Sequence, residues 1–489
     1  KRGKAMSTLE LGEGNASAAA GDGASGRAPL RARVSWMLFD WSVQPHYTLV
    51  QTFLFGPYFA NAVVQNSVCG SMIAEGSEKA ACGQSLWGYA AAIAGLLIAI
   101  LSPLLGAAAD GRGSRKPWMA CLSLVFLAGL TTLWLGVPDA NLTTILIVLG
   151  GFIAATLAAE LMAVFSNAIM TGLVPKQELG RLSGTGWAVG YFGGLVSLAL
   201  VAGLLVPIPG EAKTLLGLDP LLKLNGVAHE GDRITGPFAA IWFVIFIIPF
   251  FLFVPDRHRA STTHPERSAV AELWDTIRSL PSMPSLLVFM LARMLYTDGL
   301  SAIFSFGGIY GASVFGWGPL ELGMFGIILT LVGAFGALFG GWLDDTIGPK
   351  TVIILALLAL IVGAVGILSV DKTHVFFTTE VVEKVVGSKP FSSPGEQVFL
   401  AFAILVGVVS APVQAASRSL LARLAPADKI TQFFGLFAFS GKVTAFLAPF
   451  CVALITQETG SQRMGMGAIL AFLAIGVVMM LFVRTRPAS

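Results

Sequence analysis

The stretch that decides the fold is GAAADGRGSRKP, Gly106 to Pro117. Asp110, Arg112, Arg115 and Lys116 crowd into a glycine-punctuated turn between two long apolar runs. A thinner copy, GWLDDTIGPK, occupies Gly341 to Lys350. Gly106-x-x-x-Asp110-x-x-Gly113-x-Arg115 matches Gly341-x-x-x-Asp345-x-x-Gly348-x-Lys350, and the offset from 106 to 341 is 235. Next, LVPKQELGRLSGTGWAVG from Leu173 matches LAPADKITQFFGLFAFSG from Leu424. Pro175 pairs with Pro426, Gly184 with Gly435 and Gly190 with Gly441, each at an offset of 251. FGPY at Phe55 is similar to FGGIY at Phe306. Three aligned patches in one order indicate that the chain repeats itself.

The surroundings of the turn set the solvent. Of 489 residues, 55% are hydrophobic and 12% charged, against about 25% charged in soluble domains. A helix crosses hydrocarbon with about 20 mostly apolar residues. Twelve such spans are expected, at roughly 35–63, 86–108, 118–136, 143–172, 183–206, 236–254, 284–313, 320–342, 351–369, 397–423, 430–456 and 465–483. The fold class is therefore an all-α polytopic membrane protein, with twelve transmembrane helices in two six-helix halves. Parallel halves of six related about the membrane normal suit a rocking transporter with a central site.

Four regions are expected: a flexible tail (1–33), a six-helix bundle (34–254), a linker (255–283) and a second six-helix bundle (284–485). The tail is rich in Gly, Ala and Ser and poor in large apolar residues. In the linker, Val270, Leu273, Trp274, Ile277 and Leu280 recur at helical spacing, which predicts an amphipathic helix on the membrane surface. Most of the 31 basic residues fall on the side of the two charged turns, which places both termini in the cytoplasm; the membrane is expected to be a bacterial inner membrane. Cys69 and Cys82 share the first external loop and are a candidate disulfide; Cys121 and Cys451 lie inside spans. No Walker sequence, nucleophile–base pair or metal-ligand spacing is present. The basic residues form no patch for nucleic acid. The chain reads as a membrane protein without cofactor, not an enzyme, and as a monomer.

The duplicated turn resembles the G-x-x-x-D-x-x-G-[RK]-[RK] motif of the major facilitator superfamily, with Gly111 standing where that motif usually has a basic residue. More narrowly, WMLFDWSVQPHYTLVQTFLFGPYF, GRLSGTGWAVGYFGG, LARMLYTDG and SRSLLARLAPADKITQFFGLFAFSGK are similar to the Unknown Major Facilitator family, which includes a fungal vacuolar amino-acid effluxer. The resemblance implies that Asp110 meets the start of span 11 and Asp345 the start of span 5, closing the cytoplasmic side. It also implies that spans 1, 4, 7 and 10 surround the cavity. The turn residues Gly106, Asp110, Gly113, Arg115, Gly341, Asp345, Gly348 and Lys350 form the expected gating motif. On their own, Arg115, Lys116 and Lys350 are explained by topology alone, but the paired aspartates are not.

Ionisable groups at membrane depth are costly and therefore candidates for function. Asp40, Gln44, Tyr47 and Gln51 fall on one face of span 1, and His46 lies off that stripe. Asp40 either carries a proton or substrate charge or holds the first turn. Glu160 and Asn167, seven apart, share a face of span 4; Glu160 is either a proton carrier or a neutral carboxyl bonded between helices. Span 7 holds Arg293, Tyr296 and Asp298, and Gly299 suggests a helix break there. Gln414 shares a face of span 10 with Ser410 and Ser417, whereas Arg418 reads as structural. Lys442 in span 11 is either a counter-charge for Glu160, for Asp40 or for a substrate carboxylate, or one end of a structural ion pair between helices. Trp36 reads as part of an interfacial belt. This mixed set of acids and bases suits a small zwitterionic or polar solute moved by proton-coupled alternating access, with amino acids favoured by the resemblance. The alternatives are a facilitator of lipids or amphiphiles and a non-transporting sensor. The expected partners are a small-molecule substrate, protons and the lipid bilayer.

Overall fold

The computed structural model describes residues 26–64, 68, 79–206, 213–214, 216–256, 269–317, 319–384 and 389–485. Ten helices among them are long and apolar enough to cross a membrane. Their cores are Lys79–Arg112 (span 2), Lys116–Thr132 (span 3), Leu142–Met170 (span 4), Leu179–Leu204 (span 5) and Thr235–Phe253 (span 6), then Pro284–Phe315 (span 7), Pro319–Ile347 (span 8), Pro349–Leu368 (span 9), Pro394–Leu424 (span 10) and Gln462–Phe482 (span 12). The two remaining spans are interrupted. Span 1 is an α-helix from Leu30 to Pro45, a π-helical stretch from His46 to Phe53, a short turn of helix at Phe55–Tyr58 and a second π-helical stretch at Phe59–Val63. Span 11 is two helices, Ile430–Ser440 and Leu447–Thr459, joined by six residues of turn.

Local chemistry accounts for the ends. Proline opens spans 3, 7, 9 and 10, where its missing N–H has no partner to lose. Ser393 and Glu396 form a reciprocal capping box on span 10. In span 1, Pro45 cannot donate to a preceding carbonyl, and the helix widens directly after it. Span 7 runs unbroken through Gly299, contrary to the expected break. A Cβ there would lie 3.2 Å from Phe472 and 3.1 Å from Leu473, so the glycine serves close packing against span 12 instead.

Each half is a bundle: span 1 packs on spans 5 and 6 and span 3 on span 4, and in the second half span 7 packs on span 12 and span 9 on span 10. Two seams join the halves, span 2 with the first helix of span 11 and span 5 with span 8. Glycine sets both distances. A Cβ on Gly106 would lie 2.6 Å from the Thr431 carbonyl, and one on Gly184 2.7 Å from Cα of Gly341. Large side chains such as Ile241, Leu252, Phe335 and Phe482 remain uncovered on the outside, as a lipid-facing surface requires.

Residues 27–33, expected within the flexible tail, are held. The Arg27 Nε donates to Glu178 at 2.7 Å, the Ala28 N–H donates to the Leu173 carbonyl, and the helix of span 1 begins at Leu30. The linker helix covers Ala269–Ser279 and packs on span 2. It leaves Val270 and Trp274 exposed, while Thr276 is buried and donates to Gln432. Cys82 is disulfide-bonded, Cys121 and Cys451 are free, and Cys69 lies outside the described residues.

Candidate functional site

The two charged turns lie where the seams meet one face of the molecule. Asp110 ends span 2 against the start of span 11, where Gln432 N–H donates to it at 2.8 Å and Thr431 N–H at 3.3 Å. Asp345 ends span 8 against the start of span 5, where Gly180 and Arg181 N–H donate at 2.9 and 3.1 Å. An aspartate at its own helix C-terminus is misplaced with respect to that dipole, and the free N–H groups of a facing N-terminus compensate. Gly113 and Gly348 both adopt a φ of 85°, a left-handed conformation that favours glycine.

Topology alone does not explain Arg115. It is 4% exposed; its Nε donates to Thr431 Oγ1 at 2.7 Å and its Nη2 lies 3.4 Å from Asp110. Burial lowers its pKa, and the charges of Asp110 and Asp256 work against that shift. Lys116 and Lys350 instead reach the last turns of spans 6 and 12, donating to Phe251 and Leu481 carbonyls at 2.9 Å each. Asp344 was not among the expected residues. It is 1% exposed, accepts from Ser419 and meets Arg423 at 2.8 Å. The one available signal was the Asp344–Asp345 doublet, because the matching position in the first half is Ala109.

Above the turns, two ion pairs cross between the halves. Arg418 Nη1 lies 3.6 Å from Asp40 and donates to Asn167 at 3.0 Å. Its Nε and Nη2 hold the Ser183 hydroxyl and carbonyl at 2.8 and 2.7 Å, and its guanidinium sits over Trp36. Arg418 is thus the hub of this layer. Trp36 is 1% exposed and donates to the Ser166 carbonyl, so it belongs to the core and not to a surface belt. Deeper, Lys442 Nζ reaches Glu160 at 3.3 Å. Glu160 and Asn167 therefore share a helix face but serve different partners.

The span 1 stripe does not survive the π-helix. Its i→i+5 bonding turns His46 and Gln51 to the same side, so their side chains meet at 3.0 Å, and both contact Thr156. Gln44 packs where Gly190 and Gly194 of span 5 leave room. Tyr47 is half-buried beside the His46 ring. On span 7, Arg293 Nη1 donates to the Phe437 carbonyl and to Ser440, capping the first helix of span 11 at its break. The Tyr296 and Ser417 hydroxyls lie 2.6 Å apart. Gln414 is half-buried on span 10. Asp298 is 1% exposed beside Thr444.

Residues 174–488, more than half of the chain, match the family described as Vacuole effluxer Atg22 like. The chain is 22% identical to the uncharacterized MFS-type transporter YxiO of Bacillus subtilis (strain 168), over 93% of this chain and 95% of that one. It is 26% identical to Autophagy-related protein 22 of Cryptococcus neoformans over 61% of this chain, and spans about half the length of that protein, 51%. Among solved structures it is similar to the proton:xylose symporter XylE, with a TM-score of 0.67, 13% identity and coverage of 93% and 95%. It is also similar to the transporter FucP in its outward conformation, with a TM-score of 0.65, 13% identity and coverage of 93% and 99%. Both likenesses show the major facilitator fold.

Proposed function

The chain belongs to the Vacuole effluxer Atg22-like family of major facilitator transporters, and from that premise we propose that it moves a small zwitterionic, amino-acid-like solute by proton-coupled alternating access. The observation that carries this reading is the Lys442–Glu160 pair. One partner comes from each half, near the middle of the spans, and the side chains stay 34% and 25% accessible. A solute bearing an ammonium and a carboxylate can replace each partner with its own opposite charge. Binding then depends on the distance between the halves, which is the coordinate that alternating access changes.

In this reading the turns form the gate of the cytoplasmic side, both termini lie in the cytoplasm, and the membrane is a bacterial inner membrane. Asp110 and Asp345 hold the gate shut, with Arg418 as a second layer above them. The linker helix lies on the membrane surface with Trp274 toward lipid.

A thermal-shift screen of the purified protein against zwitterionic metabolites tests the reading, because a ligand that prefers the folded state raises apparent stability. Glu160→Gln and Lys442→Gln should each abolish the shift of any stabilising solute. A solute whose shift survives both substitutions overturns the assignment of the site. Uptake of the hit into proteoliposomes should follow an imposed pH gradient.

A further inference from the structure

Asp298 is treated unlike the other carboxylates described above. Asp40 has Arg418, Glu160 has Lys442, and Asp344 has Ser419 and Arg423. Asp298 is 1% exposed, and neither Oδ1 nor Oδ2 has a hydrogen-bond partner. Thr444, within the break of span 11, is positioned to donate to it, although its buried hydroxyl closes no hydrogen bond in this arrangement. On the next residue, Gly299 brings Phe472 and Leu473 of span 12 into contact.

The charged and titratable groups around span 7 make their hydrogen bonds and ion pairs elsewhere, although the charge of Arg293 reaches Asp298. Arg293 donates to the Phe437 carbonyl and Ser440, Tyr296 meets Ser417, Lys442 of span 11 meets Glu160, and Arg418 of span 10 meets Asp40. The neighbouring surface of span 12 is hydrocarbon. An ionised carboxylate without a donor is far costlier in such a place than a neutral acid. A metal cation would need several oxygen ligands, and Thr444 adds only one hydroxyl.

We infer that Asp298 is a protonated carboxyl in this arrangement, with the seams closed at the turns, and that its deprotonation unlocks span 11 at the break. Uptake forms an O–H bond between an aqueous proton and one carboxylate oxygen, and the neutral acid then fits the dry site. Release returns the proton to water and leaves a carboxylate that demands donors. Gly441–Phe446, already unwound, rearranges to bring the Thr444 hydroxyl and water to it. The same segment carries Lys442, so proton release also moves the counter-charge of Glu160. The inference deepens the proton-coupled reading above and rests on it for its physiological use, but its test reads conformation and needs no substrate.

Ala188 is buried with Ala337 and Ala411 where spans 5, 8 and 10 meet. Ala188→Cys, in full-length protein in nanodiscs with Cys121 and Cys451 replaced by alanine, reports opening through its rate of thiol labelling. Labelling should be slow at low pH and rise at least tenfold as the pH is raised. Asp298→Asn should stay slow at every pH, and Asp298→Glu should keep the pH dependence, which separates loss of the titrating group from loss of the fold. The infrared band of a protonated carboxyl should disappear in Asp298→Asn. The inference is overturned if wild-type labelling ignores pH, if Asp298→Asn keeps the wild-type pH dependence, or if the infrared band survives. A normal labelling profile without pH-driven solute flux would sink the transport reading and leave this one standing.

Discussion

The turn at Gly106–Pro117 and its copy at Gly341–Lys350 share a backbone and differ in how they handle charge. Both place a glycine at a φ of 85° and an aspartate on two N–H groups of a facing helix. In the first turn the aspartate is joined by its own buried Arg115, which also bonds Thr431 across the seam. In the second, Arg181 approaches Asp345 only to 3.9 Å with its side chain 63% accessible. The buried charge there sits instead on Asp344, held by Ser419 and Arg423 within its own half. Duplication therefore preserved the backbone device and the helix-terminus contact, while charge compensation diverged. One seam concentrates its electrostatics in a buried triad, and the other spreads them over two carboxylates.

This difference predicts unequal consequences. Asp110→Asn removes the anion beside Arg115 and leaves a buried guanidinium short of compensation. The closed state should lose about 3 kcal/mol, read as a lowered melting temperature and faster labelling of Ala188→Cys. Asp345→Asn removes an anion whose basic neighbours, Arg181 and Arg423, are solvent-accessible or already engaged by Asp344. Its cost should be nearer 1 kcal/mol, that of weakening two hydrogen bonds. Equal effects would mean that Arg115 contributes nothing across the seam. Arg115→Lys sharpens the point further. A lysine is a point charge that cannot bond Thr431 and meet Asp110 with a planar fork, so it should recover less than half of what Arg115→Ala loses.

The fold was legible because its evidence is repeated and its solvent is hydrocarbon. Long apolar runs mark spans, and the matched turns order them into halves. The helix-terminus partners of Asp110 and Asp345 came from a resemblance and not from the spacing of the turns. Other features resisted reading for definite reasons. The π-helix after Pro45 changes the residue count per turn, so a stripe drawn at ordinary helical spacing placed Gln51 with Asp40 and His46 apart from both. The break of span 11 carries no proline, and the helix instead ends beside Arg293, a partner distant in sequence. Arg418 stands one residue off the Ser410–Gln414–Ser417 face and gains its importance only through Ser183, Asn167 and Asp40 of the other half. Pairings between halves leave no trace in local spacing, which is why the candidate residues were found more readily than their partners.

The remaining expected effects test the part of the comparison that both turns share. Gly113→Ala and Gly348→Ala each force a side chain into the left-handed region, at about 1–2 kcal/mol apiece. At Gly348 a Cβ would meet nothing within 4 Å, so there the cost is conformational alone. Gly111→Ala provides the control. That glycine is helical at the end of span 2, with open space around its Cβ, so alanine should be neutral or stabilise by up to about 1 kcal/mol. Matched losses at 113 and 348, measured as melting temperatures, would show that both turns depend on one backbone device. A loss at 113 with none at 348 would mean that the first turn pays for its buried triad in backbone geometry and that the second has been released from that constraint.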